Sequence, residues 1–430
     1  MTSSSMQAHK KQSKTGIAPI VLSLLAKSKL YWGLAVLFLF GVMSSPLSSK
    51  GNNIFLSLGN LTDVLRQVSV TGIVAVGMTL VIFIAGIDLS VGSILALGTV
   101  ICAMLLTQEG WTAASQFGVP ATGAVVFIVV LSSAIFMRRN LGWKKTIRVT
   151  GPPSKDDLLL PGIVACVIAV VTMWWLGSQV DSKFGVLAVL IAVPCIGAVM
   201  GSLNGALIVY GRLQPFIVTL AMMVGALGLA RVIAGQDTAV YPVYTGSNAT
   251  ETFEVLRSLL WGVVPVPGLF FLTILLLVFL AVRFTTYGSY LLAIGGNEEA
   301  ARLAGINIVR TKIFTYALCG ALSALAGILY VAQFRQGKPD AGLGLELDAI
   351  AAVVIGGTSL MGGRGTVIGT LVGVLIFGFL SNILQLNNID SNTQLILKGA
   401  IIIAAVLIQE GRLTGITLVL KHALGPKNKI

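Results

Sequence analysis

The sequence predicts an all-α polytopic membrane protein with about twelve transmembrane helices and both termini on the cytoplasmic side. Three observations carry that prediction. Of the 430 residues, 56% are hydrophobic and 10% are charged. A soluble fold would have neither an interior large enough for that apolar surface nor enough charge to coat the remainder. The apolar residues fall into runs of about 20, the length that crosses a hydrocarbon core about 30 Å thick. The cations collect in groups that one alternating path through the membrane places on a single side.

Taken in order, the candidate spans lie near 31–47, 68–86, 90–107, 118–137, 158–177, 185–210, 214–235, 259–283, 311–332, 347–361, 366–386 and 394–409. They form a transmembrane domain over 31–410, between tails at 1–30 and 411–430. The run 347–361 is short for a crossing. The run starting near Leu30 lies too far in for a cleaved signal and has no A-x-A site, so it reads as a retained first span. Several runs are rich in glycine and alanine, and the chain holds 49 glycines. Such residues mark faces where helices approach closely.

Lys+Arg number 29 against 16 Asp+Glu, a net charge of +13. Strong basicity fits either nucleic acid or cytoplasmic loops, and position decides between them. Lys10, Lys11, Lys14, Lys27 and Lys29 precede the first span. Arg138, Arg139, Lys144, Lys145, Arg148 and Lys155 share one loop. Arg283, Arg302, Arg310 and Lys312 flank another, and Arg412, Lys421, Lys427 and Lys429 close the chain. An even number of spans puts all of these on the cytoplasmic side and leaves 236–258, with Asp237, Glu251 and Glu254 against Arg257, on the other. The charge is therefore a topology signal, and no nucleic-acid partner is expected. The polar stretch 138–157, broken by Pro152–Pro153, reads as a solvated loop or as a site for a partner or anionic lipid.

The inventory excludes several chemistries. The two histidines, His9 and His422, sit in the tails, which removes histidine metal clusters, haem sites and Ser–His triads from the membrane. Cys102, Cys166, Cys195 and Cys319 lie far apart inside apolar runs and read as buried, inert thiols. No GxxxxGK[ST] phosphate loop occurs. No catalytic residue, metal or cofactor is assigned to this chain.

Acids inside the membrane are costly and usually line cavities. Asp88 sits in IAGIDLSVGSILALG, and Glu346 and Asp348 in GLELDAIAAVVIGGTSLMGGRG. Both segments are broken by glycine and share an acid followed by small residues, then Ser or Thr and Gly; one is early in the chain and the other late. Paired interrupted segments are a pointer to a transport site. This makes Asp88, Ser90, Glu346, Asp348 and Thr358 candidates for a translocation path. Asp88 can equally cap the helix that follows it. Lys398, the lone cation near these acids, reads as snorkelling from the last span.

Residues 284–310 form a cytoplasmic loop. Within it, Asn297 can cap a short helix whose first turn carries Glu298 and Glu299, with Ala300, Ala301 and Arg302 following and Gly305 ending it. A rigid polar helix between two spans is suited to dock into a soluble partner and pass its motion to the membrane.

Four stretches together resemble the permease subunit of bacterial monosaccharide ATP-binding-cassette importers. They are RQVSVTGIVAVGM (66–78) running on to GIDLSVGS (86–93), GSLNG (201–205) with PFIVTL (215–220), IGGNEEAARLAGI (294–306), and ELDAIAA (346–352) with GGTSL (356–360) and Gly362–Gly363. The resemblance covers about 55–410. It implies a homodimer in the bacterial inner membrane, partnered by cytoplasmic ATPase chains and a periplasmic sugar-binding protein, with a monosaccharide path that works by alternating access. It matches Asn297–Gly305 to the ATPase-docking loop, and Asp88 and Asn204 to positions near the path. Against a family core of about ten spans, 115–184 reads as a two-helix insertion that preserves the orientation of everything downstream. The rival readings are an ion-coupled secondary transporter using Asp88 or Asp348, a membrane enzyme, and a nucleoside or branched-chain amino-acid permease of related architecture.

Overall fold

The computed structural model describes residues 29–140, 155–180, 183–235 and 239–409. The tails with both histidines, Asp237 and most of the basic stretch 138–157 lie outside the described residues.

The long apolar runs become helices. These are α1 (Lys29–Ser44), α2 (Leu58–Phe83), α3 (Val91–Thr107), α4 (Ala113–Asn140), α5 (Lys155–Ser178), α6 (Val186–Tyr210), α7 (Pro215–Ala234) and α8 (Val266–Phe284). Two short helices follow, α9 (Thr286–Gly296) and α10 (Glu298–Leu303), then α11 (Ile308–Phe334), α12 (Leu345–Ile355), α13 (Val367–Leu386) and α14 (Ser391–Gln409). Eight described helices are long and apolar enough to cross a membrane, and α1 and α3 are shorter apolar helices. The only strands among the described residues pair two by two: Tyr241–Pro242 with Gln336–Gly337, and Leu259–Leu260 with Val264–Pro265.

Local chemistry sets the ends. The Ser57 hydroxyl accepts from Asn60 N–H and starts α2. At 26 residues α2 is about 39 Å long, more than a bilayer core. Its second half is buried almost throughout, and it packs against α8, α11, α12 and α13. With α6, α2, α3 and α11 form the centre of the bundle, while α4 and α5 pair as a peripheral hairpin held on α6. Outward faces of the peripheral helices are apolar, as with Val167, Val171 and Trp174 on α5 and Leu276 and Leu277 on α8. This is the surface that lipid solvates.

Helix ends gather at two poles. At one, Phe184 N–H donates to Leu105 O, Thr250 Oγ1 to Phe184 O and Thr62 Oγ1 to Val263 O, each at 3.0 Å. At the other, Gly363 N–H donates to Phe83 O at 3.1 Å beside α9 and α10.

Several sequence expectations need correction. The run 347–361 is not a spanning helix: α12 has 11 residues and is about 16 Å long. From Gln336–Gly337 the chain passes along α3, with the Thr99 hydroxyl bonded to Lys338 O at 2.9 Å and Lys338 N at 3.1 Å, and continues through turns at 339–344 into this half-helix. The span placed at 259–283 begins as a helix at Val266, after a β-hairpin. The stretch 284–310 is mostly helical. Among the thiols, Cys102 and Cys319 are buried but Cys166 is exposed.

Candidate translocation and coupling site

The two glycine-broken segments meet. A Cβ on Gly92 would strike Gly342 O and the Glu346 carboxylate, and one on Gly362 would strike the backbone of Ala85. Glycine is required here because each backbone occupies the space of the other's side chain. Gly357 (φ +86°) ends α12, with Gly357 N–H bonded to Val354 O and Thr358 N–H to Val353 O. This turn leaves Thr358 buried against the Phe83 region.

Asp88, Ser90 and Asn204 are all fully buried and joined in a chain. Asp88 Oδ1 accepts from Ser90 N–H at 3.0 Å and from Ser90 Oγ at 2.5 Å, and Asn204 Nδ2 donates to Ser90 Oγ at 2.9 Å. Asp88 does not cap α3: the N-cap is Ser90, without a side-chain bond, and Asp88 closes an Asx turn instead. Cys319 and Tyr316 of α11 lie beside its carboxyl group. Thr219 of α7 donates to Ile87 O at 3.2 Å. One turn of broken backbone is thereby held by α6, α7 and α11 together. Tyr316 was not singled out from the sequence and Cys319 reads there only as a buried, inert thiol; a tyrosine and a thiol inside an apolar helix give no signal of a site until the fold sets them against Gly86 and Asp88.

Asp348 is in a different place. Its carboxylate accepts from Lys398 Nζ at 2.8 Å, tying α12 to α14. Lys398 is therefore an ion-pair partner and not a snorkelling side chain. Glu346, two residues away on α12, packs over Gly92. Among the described residues no group of three His, Cys, Asp or Glu side chains gathers where it could hold a metal.

Residues 154–406 match the family model described as branched-chain amino acid transport system / permease component. The ribose import permease protein RbsC of Escherichia coli (strain K12) is 36% identical over 379 residues, 87% of this chain and 91% of the relative. RbsC of Bacillus subtilis (strain 168) is 35% identical over 372 residues, 86% of this chain and 90% of the relative. The chain belongs to this permease family. The xylose transport system permease protein XylH of Escherichia coli (strain K12) is 36% identical over 361 residues, 82% of this permease and 85% of XylH. No solved structure matches the permease significantly.

The permease carries its short exposed helix, α10, at the Phe83 pole. Asn297 Oδ1 accepts from Ala300 N–H at 2.9 Å and caps it. Gly305, at φ +83°, ends it, with Ile306 N–H reaching Ala301 O and Gly305 N–H reaching Arg302 O. Glu298 binds Lys312 of α11 at 2.7 Å and approaches Arg302 at 3.8 Å. Ala301 is buried against the bundle, while Glu299 and Leu303 point to solvent. A cleft of about 800 Å³ opens beside it, lined by Tyr210, Leu213, Glu298, Arg302 and Lys312 among others. A second cavity of about 310 Å³, between Ala85, Gly86, Asn297, Glu298 and Tyr316, connects α10 to the broken segment at Asp88.

Proposed function

We propose that this chain is the membrane-spanning permease subunit of an ATP-driven monosaccharide importer in the bacterial inner membrane. It would work as a homodimer, with cytoplasmic ATPase subunits, a periplasmic sugar-binding protein and surrounding lipid as partners. Hydrolysis belongs to the ATPase chains. The relatives named for ribose and xylose import support the sugar cargo. The observation that carries the reading is α10 itself: a doubly capped helix, pinned to α11 by the Glu298–Lys312 pair, beside an open cleft. Asn297, Glu298, Glu299, Ala300, Ala301, Arg302 and Gly305 form the coupling element, and Glu299 and Leu303 present the face that meets the ATPase.

The topology proposed with it has twelve crossings and both termini cytoplasmic. The alternation of helix ends between the two poles supports this when residues 338–344 and α12 are taken as one traverse. The α4–α5 hairpin within 115–184 is then an addition to the family core, and its peripheral position agrees with that. Alternating access would follow from the connected cavities. Closure of the ATPases moves α10, α10 moves α11 through Lys312, and α11 carries the residues packed on Asp88.

A branched-chain amino acid is the second reading, favoured by the description of the matched family model. A zwitterionic cargo would need a carboxylate and a cation in the path that are not already bonded to each other, as Asp348 and Lys398 are at 2.8 Å.

The coupling claim is tested by Glu299→Lys and Gly305→Val. Gly305 sits where a β-branched residue is strained. Both variants are expected to insert normally and keep ATP hydrolysis, while uptake per ATP falls at least tenfold. Normal uptake in both would remove α10 from the mechanism.

A further inference from the structure

Two sets of polar groups lie at membrane depth, and they differ in one respect. Asp88, Ser90 and Asn204 are fully buried and spend their hydrogen bonds on one another. The Asp348–Lys398 pair is open: the side chains are 27% and 19% exposed, and Gln67 of α2 beside them is exposed. A cleft of about 60 Å³ separates them, walled by Thr71, Ser381 and the ring edge of Phe377.

Gln67 lies about 5 Å along the axis from the midpoint of α2, a helix long and apolar enough to cross a membrane, so this face belongs to the spanning part of the bundle. Charges there are unfavourable against hydrocarbon and occur where a bundle interior or a water-filled cavity receives them. The lipid-facing helices obey that rule; the outward face of α5 presents Val167, Val171 and Trp174. The face carrying Gln67, Asp348 and Lys398 departs from it, and therefore faces a water-filled cavity or the second copy of the chain rather than lipid.

We infer that Gln67, Asp348 and Lys398 form a hydroxyl-binding subsite on the wall of the translocation path, and that the buried Asp88–Ser90–Asn204 chain holds the neighbouring break in shape without touching cargo. The inference rests on the monosaccharide reading given above. The chemistry suits a neutral polyol: the carboxylate accepts from vicinal hydroxyls, the ammonium and the amide donate to them, and Phe377 offers an apolar edge to ring C–H groups. The pair neutralises itself, so no net charge attracts an ion. At about 60 Å³ the cleft has the volume of two water molecules, enough to take one edge of a sugar ring and too little to trap it. A weak subsite of this kind lets cargo leave.

The test uses the complete importer in proteoliposomes, with the exposed Cys166 replaced by serine as the parent. Gln67→Cys and, as a lipid-facing control, Val171→Cys are treated with a membrane-impermeant cationic thiosulfonate during turnover, with and without saturating D-ribose or D-xylose. Gln67→Cys is expected to react, with the transported sugar slowing the reaction at least threefold, while Val171→Cys stays inert. No reaction at Gln67→Cys, or reaction that sugar does not slow, overturns the subsite. A second variant, Asp348→Leu with Lys398→Leu, removes both charges without leaving one unpaired. It is expected to lose uptake at least tenfold with ATP hydrolysis retained; full uptake would make the pair purely structural and overturn the inference. A parent importer that hydrolyses ATP but carries no monosaccharide overturns the transport reading, and the sugar subsite with it.

Discussion

A buried carboxyl group is tolerable only where neighbours supply what water would have supplied. Asp88 draws on its own turn, through Ser90 N–H and Ser90 Oγ, and on α6, through Asn204 acting on the same hydroxyl. These bonds form one unit, so their losses should not add. Ser90→Ala and Asn204→Ala are each expected to destabilise the protein by about 1–3 kcal/mol. The double variant should cost clearly less than the sum, read as melting temperature in detergent; strict additivity would mean that the chain is not a unit. Asp88 was legible in the sequence because an acid in a long apolar run has few structural excuses, whereas Asn204 was picked out only through the family resemblance. What the sequence could not provide was their sorting. Burial separates Asp88 from Asp348, and burial is a property of the packed bundle. The partner of Lys398 was hidden for the same reason: 50 residues separate it from Asp348, and only the packing of α14 on α12 brings them to 2.8 Å.

At the scale of elements, glycine does the joining. Gly197, Gly201 and Gly205 recur every four residues on one face of α6, and α11 lies directly on them. A Cβ at Gly197 would strike Gly320 O, and one at Gly201 would strike Tyr316 O. Without a hydrophobic force between helices in lipid, such close backbone contact supplies the dispersion that holds them. Gly201→Ile forces α6 away from α11 and is expected to lower stability by about 3 kcal/mol or more, seen as a smaller monodisperse fraction after extraction; an unchanged elution profile and melting temperature would contradict the contact. Glycine richness was legible as a sign of close approach. The α10 helix was legible too, since Asn297, the two glutamates and Gly305 are all local signals. The traverse ending in α12 was not. Residues 338–344 hold their turns against α3, where Thr99 bonds Lys338 and Gly92 meets Gly342, and no local pattern records that.

At the scale of the molecule, the apolar composition settled the solvent, and the two poles of the bundle follow from the alternation of helix ends. In the proposed topology the net charge of +13 serves as the orientation signal and puts α10 and its cleft on the side proposed for the ATPase. The cavity between α10 and the break at Ala85–Gly86 then gives motion at the cleft a route to the broken helices, while the polar face at Gln67 is the surface proposed for cargo to pass. Uptake of radiolabelled D-ribose or D-xylose into vesicles containing the complete importer tests this directly. The predicted result is uptake that survives a protonophore and is abolished when the phosphate-loop lysine of the ATPase subunit is mutated. Uptake that collapses with the protonophore and ignores the ATPase mutation would contradict it.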